Sequence, residues 1–314
     1  MNVHQNFVKV SVVVITHNHE AFIAQTLGSI LMQQVTFPYE VIVCDDASSD
    51  GTQEIIKKFE QAHPLLIKTV FSAQNAGPCR MAATGFALCS GTYLAWLDGD
   101  DYWSVNFKLQ QQVDFLDNNP GYAGCFHDAA IASDVKIAHV RHDTSYYSQW
   151  KLFSQFNRYT PDFYPWQLLD RELIPTASLV CRTNLLNPDI FETIRMFSLS
   201  INWMLQLFVI RSSRLRYFNE VWSVYNDHPE GISKKTPRLD FKYNNITFLK
   251  LLLEDPYYSY IRKDLYKALA REYYQILHIY KGHKQKIIVP ALAYLRFEFL
   301  KVISELFYFL RKQK

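Results

Sequence analysis

Cysteine is sparse in this sequence, and what there is follows no pattern. The five residues, Cys44, Cys79, Cys89, Cys125 and Cys181, are odd in number and include no Cys-x-x-Cys pair. That excludes a zinc ribbon and a disulfide framework and reads as buried free thiols in a reducing compartment. Long apolar runs are also missing: no uncharged stretch reaches the roughly 18 residues of a spanning helix. Val10 to Ile15 is too short for the apolar core of a secretory signal, so a cytoplasmic protein is expected. Charge of one sign is lacking as well. A net charge of +3 over 314 residues, with no RNA-binding or helix-turn-helix signature, argues against a nucleic-acid partner. The glycine fingerprint of dinucleotide-binding folds and the Walker loop are both absent. Ser48 has no nucleophile elbow around it, which removes acyl transfer. The histidines, among them His17, His19, His139 and His142, match no zinc spacing and receive no role.

What is there centres on Tyr93-Leu94-Ala95-Trp96-Leu97-Asp98-Gly99-Asp100-Asp101-Tyr102-Trp103, an apolar run that ends abruptly in three carboxylates. Read as a strand, it buries Tyr93 to Leu97 and places Asp98 to Asp101 at its C-terminal end. Carboxylates this crowded repel one another unless a cation or many donors neutralise them. Hard oxygen ligands in that position suit Mg²⁺ or Mn²⁺ bridging the phosphates of a nucleotide. The alternative is a plain acidic turn, since Asp-Gly is a common turn pair.

The preceding residues favour the nucleotide. Val10 to Ile15 is a β-branched strand ending in Thr16-His17-Asn18-His19, and Glu20 to Gln33 has helical periodicity. Strand Tyr39 to Cys44 ends in Asp45-Asp46 and leads through a turn to helix Gln53 to Ala62. Strand Leu66 to Phe71, loop Asn75-Ala76-Gly77 and helix Met81 to Cys89 complete the series. This βαβαβαβ order with short links predicts an α/β fold with a Rossmann-like, mostly parallel sheet flanked by helices. Ligands of such sheets bind outside the C-terminal strand ends, where both acidic clusters fall.

Four ordered motifs make the resemblance specific: Val12-Val13-Val14-Ile15-Thr16-His17-Asn18, Asp45-Asp46-Ala47-Ser48-Ser49-Asp50-Gly51-Thr52, Asn75-Ala76-Gly77, and Leu97-Asp98-Gly99-Asp100-Asp101. Together they resemble glycosyltransferase family 2, whose members have the GT-A fold and transfer sugars from nucleotide donors with inversion. The continuation Tyr102-Trp103, Lys108 to Leu116 and Phe126-His127-Asp128 resembles a branch common in bacterial surface-polysaccharide clusters. The resemblance implies donor-binding roles for Thr16, Asn18, Asp45, Asp46, Arg80, Asp98, Gly99 and Asp100. It further implies that Asp100 and Asp101 hold Mn²⁺ or Mg²⁺. The implied substrates are a nucleotide sugar, most often a UDP-sugar, and a saccharide or lipid-linked saccharide acceptor. For Asp45 a capping or turn role stays open, as does a solvated surface role for Arg80.

One position departs from the pattern. An inverting transferase needs a general base for the acceptor hydroxyl, and the family's usual aspartate falls on Asn202, whose amide cannot serve. Asp128, Asp227 or His228 then becomes the candidate base, or a shifted alignment leaves it to Asp189 or Glu192. The other possibility is a catalytically silent nucleotide-sugar-binding subunit of a polysaccharide assembly complex. In Tyr225-Asn226-Asp227-His228, Asn226 stands where the resemblance expects arginine.

Residues Lys136 to Tyr164 show no period and read as an acceptor loop or lid, or else as a helical excursion whose aromatics pack. Ala123 to Phe126 reads as a strand followed by His127-Asp128, and Leu173 to Val180 is expected to return as a strand. The catalytic domain is expected over 1–233 and a helical region over 234–314, with helices at Phe241 to Glu254, Tyr257 to Tyr280 and Lys284 to Lys314. In the last, Ile287, Ile288, Leu292, Leu295, Phe299, Val302, Ile303, Leu306 and Phe309 make a broad apolar face, and Pro290 should start or kink the helix. Such a face suits the inner surface of a membrane, the catalytic domain, or a second copy of the chain.

Overall fold

A computed structural model describes residues 7–132, 151–156, 160–169, 174–211, 213–280 and 290–301. The chain divides into two compact units, Met1–Phe163 with Leu173–Pro229, and Tyr164–Glu172 with Glu230–Lys314.

The first unit is built on β1 (Val10–Thr16), whose seven residues are all buried, as a strand covered on both faces requires. Beside it lie β2 (Tyr39–Asp45), β3 (Ile67–Phe71) and β4 (Tyr93–Asp98), connected by α1 (Ile23–Leu31), α2 (Thr52–Ala62) and α3 (Pro78–Ala87). Alternation decides which side chain meets which layer. Val10, Val12 and Val14 share a core with Ile23, Leu27 and Ile30 of α1, each such burial contributing about 1.5–3 kcal/mol. Val13 points the other way, toward α3, where a Cβ added to Gly85 would lie 2.6 Å from its Cγ1. Glycine there allows the helix to approach the sheet.

After β4 come β5 (Tyr102–Trp103), α4 (Lys108–Asn118) and β6 (Gly124–Ala132). Two short strands, β7 (Lys151–Leu152) and β8 (Asp162–Phe163), precede α5 (Pro165–Leu168), which belongs to the second unit. The first unit ends with β9 (Val180–Arg182), α6 (Pro188–Arg195), α7 (Ile201–Ile210) and β10 (Leu215–Asn226). The sheet order is β3-β2-β1-β4-β9-β6-β10-β5, with β7 on β6 and β8 on β10. Because β9 is antiparallel to both β4 and β6, and β10 is parallel to β6, strands β1, β2, β3, β4, β6 and β10 all run one way. Their C-terminal ends therefore share one edge.

Two expectations change. Of the strand expected over Leu173 to Val180, only Val180 is β among the described residues, and Thr176–Ser178 form a 3-10 turn. The turn wins because the Ser178 N–H and hydroxyl both close on the Pro175 carbonyl, at 3.0 and 2.7 Å. The strand before His127 does not stop there, since β6 runs on to Ala132 and encloses both His127 and Asp128. Most of the segment expected as a loop or lid, 133–150 and 157–159, lies outside the described residues, as do 281–289 and 302–314.

The second unit is helical: α5, α8 (Ile232–Lys235), α9 (Arg238–Glu254), a 3-10 turn (Pro256–Ile261), α10 (Arg262–Ile279) and α11 (290–301), the last starting at Pro290. Its interior is apolar, with Leu249, Leu252, Tyr258, Leu265 and Leu269 fully buried. Lys242 of α9 pairs with Glu272 of α10 at 3.0 Å.

Candidate active site

The parallel register sets the level of the site. Thr16 is opposite Asp45 and Ile15 is opposite Asp98, so three strands end together. Beyond Asp98 the chain turns, with the Asp101 N–H closing on the Asp98 carbonyl at 3.1 Å. The turn is braced from both sides. Thr26 of α1 places its Oγ1 2.9 Å from the Gly99 carbonyl and 2.8 Å from that of Asp101, sharing one proton between them. Asn226, at the end of β10, donates its N–H to Asp101 Oδ1 at 3.0 Å and its amide to the Asp100 carbonyl at 2.5 Å. Gly99 is obligatory here, because a Cβ would sit 2.6 Å from Thr16 Oγ1 and 2.9 Å from His19 Nδ1.

The carboxylates of this turn differ. Asp100 Oδ2 lies 3.0 Å from His228 Nε2 and 3.5 Å from His19 Nε2. Burial alone would raise its pKa, but the His228 hydrogen bond and the two imidazoles outweigh it and leave the carboxyl below its ordinary value. Asp101 is buried on the single Asn226 donor. Burial first, then the Asp100 and Asp98 charges, raise it well above the ordinary value. Burial lowers His19, against the pull of Asp100. Its Nδ1 lies 3.2 Å from Thr16 Oγ1, and the His228 ring packs on Phe22 at 4.6 Å.

The second acidic pair is engaged by its own loops. Asp45 accepts from the Ser48 N–H and hydroxyl at 3.0 and 2.5 Å and from Gln53 at 2.6 Å. This is a turn-capping arrangement. Asp46 accepts from the N–H groups of Ala76 and Gly77 at 2.6 and 2.9 Å, fastening the loop before α3 to the end of β2. Each Asp46 oxygen takes one of these bonds and retains a lone pair for a ligand, whereas Asp45 Oδ1 already takes two donors. His17 joins three loops: its Nδ1–H donates to the Asp46 carbonyl at 2.7 Å, leaving Nε2 to accept from Asn18 and Asn75 at 3.2 and 3.3 Å. Asn18, Ala47 and Gly77 all have positive φ, at 55°, 56° and 88°. Non-glycine residues in that region cost of order 1–3 kcal/mol each and cluster at ligand sites.

The expected residues thus separate. Thr16, Asn18, Asp45, Asp46, Asp98, Gly99, Asp100, Asp101 and His228 share the strand-end edge, with Asp227 beside His228, its N–H on the Ala132 carbonyl at 2.8 Å. Arg80 is exposed in the first turn of α3. Asp128 lies mid-strand in β6, 2% exposed, accepting from the N–H groups of Ala129 and Ser154 at 2.9 and 3.1 Å. Burial raises its pKa, partly offset by those bonds. Asn202, in the first turn of α7, donates its amide to Thr176 Oγ1 while its own Oδ1 is buried without a partner. His17, His19, Thr26 and Asn226 were not expected; their polar residue types next to strand ends were the available signal.

Among the described residues, no three His, Cys, Asp or Glu side chains are gathered closely enough to cage a metal ion. The donor set does suit a cation completed by substrate phosphates, with an anionic Asp100 and the His228 imidazole beside it.

A doubly wound sheet with carboxylates on this edge defines the GT-A class of nucleotide-sugar-dependent folds. The sequence profile of Glycosyl transferase family 2 matches residues 11–201, and the chain belongs to that family. An uncharacterized protein of Mycobacterium tuberculosis is 30% identical over 222 residues, covering 71% of this chain and 60% of that protein. The chain thus spans 60% of the length of this relative. The Escherichia coli enzyme WfaP, a UDP-Glc:α-D-GlcNAc-diphosphoundecaprenol β-1,3-glucosyltransferase, is 34% identical over 108 residues, 34% of this chain and 41% of WfaP. Among solved structures, Staphylococcus aureus TarS 1-349 in complex with UDP-GlcNAc superposes with a TM-score of 0.65 at 19% identity, covering 92% of this chain and 81% of that one. The mannosyltransferase PcManGT of Pyrobaculum calidifontis, in complex with GDP-Man and Mn²⁺, gives 0.54 at 15% identity, covering 96% and 85%.

Proposed function

We propose that this chain transfers a sugar from a nucleotide diphosphate donor, a UDP-sugar, to a hydroxyl of a polysaccharide or lipid-linked acceptor, with inversion. The observation that carries this reading is Asp100, held anionic between two imidazoles at the shared strand-end edge. TarS, bound to UDP-GlcNAc, and WfaP, named for UDP-Glc and a diphosphoundecaprenol acceptor, support the donor base and the acceptor class. Residues 1–233 are read as the catalytic domain and 234–314 as a helical accessory region, on the cytoplasmic side.

Asp100, with His228 beside it, would hold Mn²⁺ or Mg²⁺ together with the donor phosphates, and the ion would offset charge on the departing diphosphate. Asp101 braces the turn. Thr16, Asn18, Asp45, Asp46 and Arg80 line the donor side. The acceptor oxygen attacks the anomeric carbon from the face opposite the diphosphate; the new carbon–oxygen bond forms as the bond to phosphate breaks. The acceptor proton passes to a carboxylate, and we assign Asp227. It follows the end of β10 beside His228, whereas Asp128 is closed off by Ser154 and Asn202 offers only an amide. A silent nucleotide-sugar-binding subunit is the second reading, favoured by Asn202.

Titration calorimetry of UDP, GDP, CDP and dTDP with and without Mn²⁺, on the wild type and D100A, tests the donor site. Manganese-dependent binding of UDP that D100A abolishes is expected. Binding of no nucleotide under any condition would end the reading. Slow hydrolysis of the matching nucleotide sugar separates an enzyme from a silent binder.

A further inference from the structure

The charge of this chain is unevenly spread. Residues 281–314 carry eight lysines and arginines against two glutamates, a surplus of six. The whole chain nets only +3, so the first 280 residues net −3. All of the positive excess lies in the last tenth of the sequence.

Helix α11 lies in this segment and is apolar on two opposite sides. Inward, Phe297 is buried and stacks on Tyr273 of α10 at 5.7 Å and 13°. Outward, Leu292, Leu295 and Phe299 are 63%, 61% and 65% exposed. Their i, i+3, i+7 spacing puts them on one stripe, and Arg296 flanks it, itself exposed. The described helix is too short and too charged to cross a bilayer, and no described helix is long and apolar enough to do so.

We propose that the outward stripe of α11 docks on an anionic lipid surface. Leu292, Leu295 and Phe299 enter the boundary between headgroups and acyl chains, and the basic surplus of 281–314 is drawn to the lipid phosphates. Each basic residue near such a surface strengthens the attraction, and an exposed apolar stripe adds the area it buries. A protein partner of ordinary surface composition offers no reason for this surplus; an anionic bilayer does. The inference is independent of which nucleotide the donor site takes.

Co-sedimentation of the full-length chain with vesicles tests it. Phosphatidylglycerol-containing vesicles should bind it about tenfold more tightly than phosphatidylcholine vesicles, and high salt should remove that advantage. L295E/F299E should lose vesicle binding while keeping nucleotide affinity and melting temperature, since both side chains are exposed. Equal binding to both vesicle types, or none to either, overturns the proposal. A dimer of the wild type that L295E/F299E dissolves also overturns it, and makes the stripe a contact between copies of the chain.

Discussion

At one end of the parallel sheet, Glu40 of β2 is buried and accepts from the Ser11 hydroxyl, the Ser90 N–H and hydroxyl, and Lys68, all within 2.8 Å. At the other end, Asp101 is as deeply buried but accepts from one backbone N–H and sits beside two more carboxylates. Burial works against ionising Glu40, yet its four donors pull it down to about 2. Asp101 moves the opposite way. A buried carboxylate surrounded by donors is finished as structure. One surrounded by carboxylates needs protons or a cation, and the edge where that need is unmet is where ligands bind.

Substitutions at the two ends should therefore separate function from stability. The largest effect is expected from D227N, with kcat lowered about 10²–10⁴-fold and donor affinity unchanged, measured by product formation beside calorimetry. Full activity in D227N with loss in D128N would move the base to β6. E40Q should leave nucleotide binding intact and lower the melting temperature at neutral pH by about 4–8 °C, for roughly 2 kcal/mol of charged hydrogen bonding. The folded pKa of Glu40 lies below its unfolded value, so this stability is present above pH 4.5 and fades as pH falls toward about 2. Melts of E40Q and wild type across that window should converge.

The smallest effect concerns the ground between the ends. Lys108 of α4 is fully buried, its Nζ over the Trp103 ring at 4.2 Å with no hydrogen-bond partner, and burial pushes it down to about 7. Between there and its ordinary value the unfolded chain binds a proton that the folded chain does not. Wild-type stability should rise with pH across this window, and K108M should flatten the rise while raising the melting temperature at pH 7 by about 2 °C. An unaltered slope in K108M would place the titration elsewhere.

The strands and the acidic turn were legible because buried parallel strands are written as unbroken apolar runs, and a run that stops in Asp98-Gly99-Asp100-Asp101 marks its own end. The braces of that turn were not. Thr26, His19 and Asn226 reach it over separations of 73, 81 and 126 residues, and no local period encodes such contacts. The end of β6 was missed because His127 interrupts the apolar run. It is nonetheless buried, its Nδ1 on the Asp128 carbonyl at 2.7 Å, and burial together with Lys108 lowers its pKa well below the ordinary value. The turn at Thr176–Ser178 was read as strand from its neighbours, although Pro175 and two hydroxyl residues favour local hydrogen bonding over a ladder.

Strand β10 has a further consequence through its irregular pairing with β6. Phe218 faces His127 and Val221 faces Asp128, so β10 advances three residues while β6 advances one, and a second slip follows before Ser223. Those extra residues set the phase in which the chain arrives at the acidic turn. Asn226 and His228, two apart, both reach Asp100, and Asp227 falls between them. Losing one residue near Glu220 would carry Asp227 to the place of Asn226 and Pro229 to that of His228, so Asp100 would lose its imidazole. Length, as much as identity, is part of this site's chemistry: a deletion some distance away could rewrite the ligand set without altering any of the residues that compose it.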